Sequence, residues 1–145
     1  MEARPGSALY FEVLTAWNRR DAAGYASLFS EDGHAVGFDG SLLDGQEAIE
    51  SSLREIFANH QTARYVGKVR EERLLAPGVV LVRAVCGMVP PGGTDINPAV
   101  NAIQLLVALE SGSVWRCVLF QNTPAQFHGR PEVAEALTEE LRQLL

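Results

Sequence analysis

The stretch LLAPGVVLVRAVCGMVPPGGTDINPAVNAIQLLVALESGSVW, running from Leu74 to Trp115, decides the fold. Its only charged side chains are Arg83, Asp95 and Glu110, and turn chemistry interrupts it at Ala76-Pro77-Gly78, between Pro90 and Pro98, and at Ser111-Gly112. Apolar runs of this length between such breaks read as strands. Extended outward, the pattern predicts four strands at about 64–75, 79–89, 100–110 and 114–123. Connections this short require antiparallel pairing. A sheet with one wet face alternates apolar and polar positions, but the last three strands are apolar at odd and even positions alike. Both faces are therefore expected to be covered, one by helices and the other by a second subunit.

Upstream, the chain mixes charge with helical periodicity. A first helix is expected after Arg4-Pro5-Gly6, with Ser7 as its cap and Tyr10, Val13, Leu14 and Trp17 on one buried face. Asp21 suits the cap of a short second helix carrying Tyr25, Leu28 and Phe29, which Ser30-Glu31-Asp32-Gly33 is expected to end. His34 to Phe38 reads as a short strand, followed by an Asp39-Gly40 hairpin turn in which both residues need positive φ. Asp44-Gly45-Gln46-Glu47 resembles a capping box opening a helix that aligns Ile49, Leu53, Ile56 and Phe57. Asn59-His60 would satisfy the carbonyls at its end. Past Pro124 a polar link leads to a last helix opening at Pro131, striped by Val133, Leu137, Leu141 and Leu144. Helices first and a sheet afterwards give an α+β class. Residues 1–145 are expected to form one domain, with 124–145 as a carboxy-terminal extension helix.

The chain has 145 residues, of which 47% are hydrophobic and 21% charged, with a formal net charge of −6. An acidic chain without a basic stripe argues against a nucleic-acid or anionic-membrane partner, and no apolar run approaches a bilayer span. No apolar segment follows the charge in Met1-Glu2-Ala3-Arg4-Pro5, so no signal peptide is expected and a cytoplasmic location is the default. Cys86 and Cys117 are then expected as free thiols.

Two local strings narrow the reading. Ala16-Trp17-Asn18-Arg19-Arg20-Asp21 with Leu28-Phe29-Ser30-Glu31-Asp32-Gly33, and Val114-Trp115-Arg116 running into Phe120-Gln121-Asn122-Thr123, resemble the SgcJ/EcaC family of the nuclear transport factor 2-like (SnoaL-like) superfamily. With Asp44-Gly45 and Ile49, the likeness extends over about residues 8–123. The resemblance implies a conical α+β domain with a curved antiparallel sheet wrapped around helices. It also implies an apolar cavity and a homodimer packed through the sheet. The relatives it brings in are SnoaL-like polyketide cyclases, ketosteroid isomerases and proteins encoded with enediyne polyketide pathways. The extra helix after Pro131 departs from the family's usual end, and could cap the cavity mouth or lie on a neighbouring subunit.

Superfamily enzymes that move protons beside a carbonyl need a carboxylate of raised pKa. The late strands offer only Glu110, which adjoins a turn. His34 and Asp39 remain the candidate catalytic groups. Histidine is the side chain whose ordinary pKa lies near neutrality, and His34 is expected on a strand with Val36 and Phe38; its alternative is a strand-end histidine facing water or backbone. Asp39 lies in a region that supplies the base in ketosteroid isomerases, and its alternative is a plain turn residue. His60 and His128 are dispersed from His34, which leaves no metal-ligand spacing, and no phosphate-binding glycine loop precedes a helix. No cofactor is therefore expected. Arg83, isolated among apolar neighbours, either meets a ligand's anionic group or snorkels to the rim or an interface. Asn101, Gln104, Gln121 and Asn122 are neutral polar groups that either bind ligand oxygens or satisfy backbone, with one of the last two expected to face the cavity. Trp17, Phe57, Tyr65, Trp115 and Phe120 either line a pocket or form core. The favoured expectation is an accessory protein of secondary metabolism that shelters a small hydrophobic, polyketide-type molecule. The alternatives are a cyclase or isomerase using acid/base chemistry, and a structural association module.

Overall fold

Strands form where the charge-poor stretch places them, and helices where the upstream periodicity does. The computed structural model describes residues 4–145; Met1, Glu2 and Ala3, on which the reading of the leading segment rests, lie outside the described residues. In chain order the elements are α1 (Pro5–Asn18), α2 (Ala22–Ser27), β1 (Phe29–Val36), β2 (Leu42–Asp44), α3 (Gln46–Asn59), β3 (Arg64–Ala76), β4 (Val79–Val89), a 3-10 turn (Pro98–Val100), β5 (Ala102–Ser111), β6 (Val114–Pro124) and α4 (Pro131–Arg142). The strands join one sheet in the order β2-β1-β6-β5-β4-β3. Every pairing is antiparallel except β1 with β6, which is parallel. That parallel pair brings the amino-terminal hairpin alongside the last strand and closes one end of the curved sheet around the helices.

Several local expectations are corrected, each for a steric or hydrogen-bonding reason. Because Pro5 takes the first helical position of α1, Ser7 already lies inside the first turn and cannot cap it. Glu72 of β3 does so instead: its carboxylate accepts from the Gly6 amide at 3.1 Å, the Ser7 amide at 2.7 Å and the Ser7 hydroxyl at 2.7 Å. An anion at that end also complements the helix dipole. Gly6 makes the approach possible, since a Cβ there would stand 2.7 Å from Val82 Cγ2. Asp21 caps α2 as expected, accepting from the Gly24 amide at 2.9 Å. Ser30 to Gly33, however, is strand and not helix stop. Its turn-prone residues fit a register irregularity between Phe29 and His34, where β1 shifts against β6.

The hairpin after β1 is a five-residue loop closed by the Gly37 amide donating to the Ser41 carbonyl at 2.9 Å. Gly40 has φ +90° while Asp39 does not share the positive φ, so the expected two-residue turn is replaced. Asp44 is still extended in β2 and faces His34 across the ladder, which leaves the cap of α3 to Gly45. At the other end of α3, Asn59 donates to the Glu55 carbonyl at 2.9 Å. The carbonyls of Phe57 and His60 are met by the Arg20 guanidinium, not by the His60 side chain.

Helices α1 to α3 fill the concave side of the sheet. Tyr10, Val13 and Leu14 of α1, Ile49 and Leu53 of α3, and Val80, Val82, Leu106 and Phe120 of the sheet share one core. The outer face differs from expectation: part of its cover is the chain's own α4. Leu137 and Leu141 pack with Val85, Val89 and Ile96, flanked by Val66 and Ile103. Lys68 and Arg70 pair with Glu140, and Arg142 pairs with Asp95 at 2.9 Å, which fixes the helix at both edges. Beyond α4 the outer face carries half-buried Leu81, Leu105, Val107 and Leu119.

Candidate functional site

A cavity of about 540 Å³ opens between α2, α3, the 37–41 loop and the concave face of the sheet. Its aromatic wall is built around Trp17, whose ring meets Tyr25 at 6.5 Å, Tyr65 at 5.5 Å and Phe57 at 5.2 Å between centroids. Trp17, Tyr25 and Tyr65 line the cavity. The indole N–H is already used, donating to the Ala63 carbonyl at 2.9 Å. Leu53, Ile56, Met88 and Phe120 supply further apolar wall, while Ser41, Asp39, Glu55 and His60 stand at exposed positions around the mouth. A largely apolar concavity with a few placed polar groups is the usual form of a small-molecule site.

One polar relay crosses the interior to reach this cavity. The Tyr10 hydroxyl donates to Gln104 Oε1 at 2.6 Å, Gln104 Nε2 donates to Asn122 Oδ1 at 2.8 Å, and Asn122 Nδ2 donates to the Val36 carbonyl at 3.1 Å. Gln104 is completely buried. Each partner fixes the next, so the Asn122 amide reaches the cavity wall in a set orientation with one N–H still available. Burial raises the pKa of Tyr10, Tyr25 and Tyr65 alike, which keeps all three phenols neutral. Asp39 is shifted the other way: hydrogen bonds from Ser41, including its amide at 2.9 Å, hold the carboxyl below its usual range.

Of the residues singled out in sequence, the structure brings Trp17, Asp39, Tyr65, Phe120 and Asn122 to the cavity. His34 lies outside it, with Nε2 2.9 Å from Asp44 Oδ1 and its side chain 45% exposed. Arg83 stands on the outer face, 3.2 Å from Glu71. Gln121 neighbours Leu105 across the β5–β6 ladder on that same outer side, while its successor Asn122 turns inward. Gln104 acts within the relay, and Asn101 lies beneath α4, donating to the Thr138 hydroxyl at 2.9 Å. Phe57 backs Trp17 from outside and carries the Arg20 guanidinium over its ring at 5.2 Å. Trp115 packs at the edge of the core, away from the cavity.

Sequence reasoning missed Tyr25, Ser52, Ile56 and Met88 as wall residues. The helical periodicity assigns Tyr25 and Ile56 to the core. The available signal was their place at the edge of a helix stripe, where a side chain touches both core and whatever fills a neighbouring gap. Cys86 and Cys117 are buried free thiols, and burial pushes the Cys86 thiol up to about 12. Among the described residues no three His, Cys, Asp or Glu side chains converge in a metal-holding arrangement. Among those residues, too, no helix is long and apolar enough to cross a membrane.

Comparison with known proteins agrees with this architecture. The SnoaL-like domain family matches residues 7–75. A domain of unknown function with a cystatin-like fold from Nostoc punctiforme superposes with a TM-score of 0.80 at 23% identity, covering 99% of this chain and 93% of that one. A cystatin-like protein from Caulobacter vibrioides reaches 27% identity and a TM-score of 0.64, covering 87% and 91%. A ketosteroid isomerase-like protein from Erwinia carotovora atroseptica gives 0.66 at 16% identity, covering 84% and 95%. No curated protein matches the sequence. By fold the chain is therefore a nuclear transport factor 2-like cone, and over residues 7–75 it matches the SnoaL-like domain family.

Proposed function

We propose that the protein is an accessory protein of secondary metabolism of the SgcJ/EcaC kind, which shelters a flat, hydrophobic polyketide-type or enediyne-pathway molecule in the cone and acts in the cytoplasm. The observation that carries this reading is an aromatic-walled cavity whose lining carboxylates, Asp39 and Glu55, both stand exposed at its mouth. Proton abstraction beside a carbonyl is favoured by a carboxylate of raised pKa, whereas Asp39 is stabilised as the anion by Ser41. Binding is thus better supported than acid/base turnover.

The test uses quenching of the intrinsic fluorescence of Trp17 and Trp115 by a tetracyclic aromatic polyketide. Wild type is expected to show saturable quenching, and Ser52→Trp, which fills the cavity from α3, to abolish saturable binding measured by equilibrium dialysis. Saturable binding undiminished in Ser52→Trp places the ligand elsewhere and overturns the reading.

The uncovered outer strip supports a homodimer through the part of the sheet that α4 leaves free. Sedimentation velocity is expected to show a dimer that Val107→Glu converts to a folded monomer. A monomeric wild type at micromolar concentration removes this part of the proposal.

A further inference from the structure

Two of the three tyrosines are buried and the third is half-buried, and their hydroxyls fare differently. Tyr10 has a protein acceptor in Gln104. Tyr25 is 7% exposed and Tyr65 half-buried; both line the cavity, and neither hydroxyl has a protein partner among the described residues. Neither oxygen is sealed from solvent, so both hydroxyls open onto the cavity and are free to donate to what occupies it. Phenylalanine would pack these walls as well, and what the two hydroxyls add is a pair of donors on the cavity side.

Both rings are also held in place. Tyr25 stacks on Phe29 with centroids 5.5 Å apart and planes 24° from parallel. The backbone of Tyr65 is clamped by Asn18, whose Oδ1 accepts from the Tyr65 amide at 2.7 Å and whose Nδ2 donates to its carbonyl at 3.0 Å. Trp17 packs edge-on against both rings. Donors positioned before a ligand arrives lose little on binding.

We infer that the Tyr25 and Tyr65 hydroxyls are preset hydrogen-bond donors that select, among flat apolar molecules, those carrying a neutral acceptor oxygen such as a conjugated ketone or quinone. Hydrocarbons leave both hydroxyls unpaired, and carboxylates must pass the acidic mouth formed by Asp39 and Glu55. A site built to pair a polar group rejects the analogue lacking it more sharply than a greasy site distinguishes methylenes. This inference rests on the cavity being the binding site.

Two probes test it: 6-propionyl-2-(dimethylamino)naphthalene, a ketone whose emission moves to the red when its carbonyl accepts a hydrogen bond, and 2-ethylnaphthalene, a hydrocarbon of similar shape. Wild type is expected to bind the ketone more tightly and with red-shifted emission. Tyr25→Phe and Tyr65→Phe are each expected to weaken ketone binding by about 3- to 10-fold and shift its emission to the blue, with hydrocarbon binding changed less than twofold. Ser30→Ala, which removes a hydroxyl that donates to Asp32 away from the cavity, should leave the ratio of the two affinities unchanged. Unchanged ketone affinity and emission in both cavity variants, or equal losses for both probes, overturns the donor role while leaving the cavity reading intact. Failure of wild type to bind either probe overturns both.

Discussion

A Cβ on Gly67 would collide with the Tyr10 hydroxyl and stand 2.7 Å from Leu14 Cδ1. The strand is thus pressed against α1 at the point where the polar relay begins. Gly67→Ala is expected to lower stability by about 1–3 kcal/mol in urea unfolding, because the ring and the helix must shift to admit the methyl. Gln104→Leu tests the relay itself. It strands the Tyr10 hydroxyl in the core and frees Asn122 Oδ1, and should cost about 1–3 kcal/mol. Under α4, Asn101 Oδ1 is buried without a hydrogen-bond partner. Its amide nitrogen depends on Thr138, whose hydroxyl in turn donates to the Ala134 carbonyl at 3.0 Å. Thr138→Val keeps the shape but removes the acceptor, so a loss of about 1–2 kcal/mol is expected from the same measurement.

At the scale of elements, α4 separates most clearly into an apolar and an ionic attachment. Leu141 is fully buried against the outer sheet face, and Leu141→Ala should cost about 2–5 kcal/mol by combined loss of transfer energy and cavity formation. Glu140 supplies the ionic part. Arg70 first, then Lys68, lower its pKa from 4.5 to about 2. A carboxyl whose folded-state value is depressed adds stability that is complete above its unfolded value and is lost as pH falls through the folded one. The stabilisation from Glu140 is therefore complete above about pH 4.5 and fades toward pH 2. Glu140→Gln is expected to lower stability by about 0.5–1 kcal/mol at pH 7, given the solvent around both cations. The difference between variant and wild type should close below pH 2, measured by urea unfolding across the acid range. The amphipathic stripe of α4 was legible in sequence, but not the surface it covers, because a stripe records that a helix face is buried and not against what.

For the whole molecule, charge placement is more informative than net charge. The strands expected from the charge-poor stretch lie within a residue or two of their observed bounds, and the expected helix faces are buried at Tyr10, Val13, Leu14, Ile49 and Leu53 but only half-buried at Trp17, Ile56 and Phe57. The doubly apolar strands do not require an external partner over their whole length. The chain supplies its own cover over Val85, Val89 and Ile103 through α4 and leaves a narrower strip around Val107. Covalent order could not show this, since α4 and the strands it covers are separated by the whole of β6 and a polar link. The parallel pairing of β1 with β6 was equally hidden, because it joins segments about 85 residues apart and leaves no local signature.

The sequence by itself determined the four helices, the four strands from Arg64 onward and the α+β class, but neither β2 nor the start of β1 at Phe29. These depend on periodicity and turn chemistry over a few residues. Only the tertiary structure decided which polar groups meet. It sent His34 to Asp44 and Arg83 to Glu71 on the surface, placed Asn122 rather than Gln121 on the cavity wall, and brought Tyr25 and Tyr65 around Trp17. The physical reason is that a strand residue's side is fixed by register with a distant partner, and one step of register exchanges inside for outside.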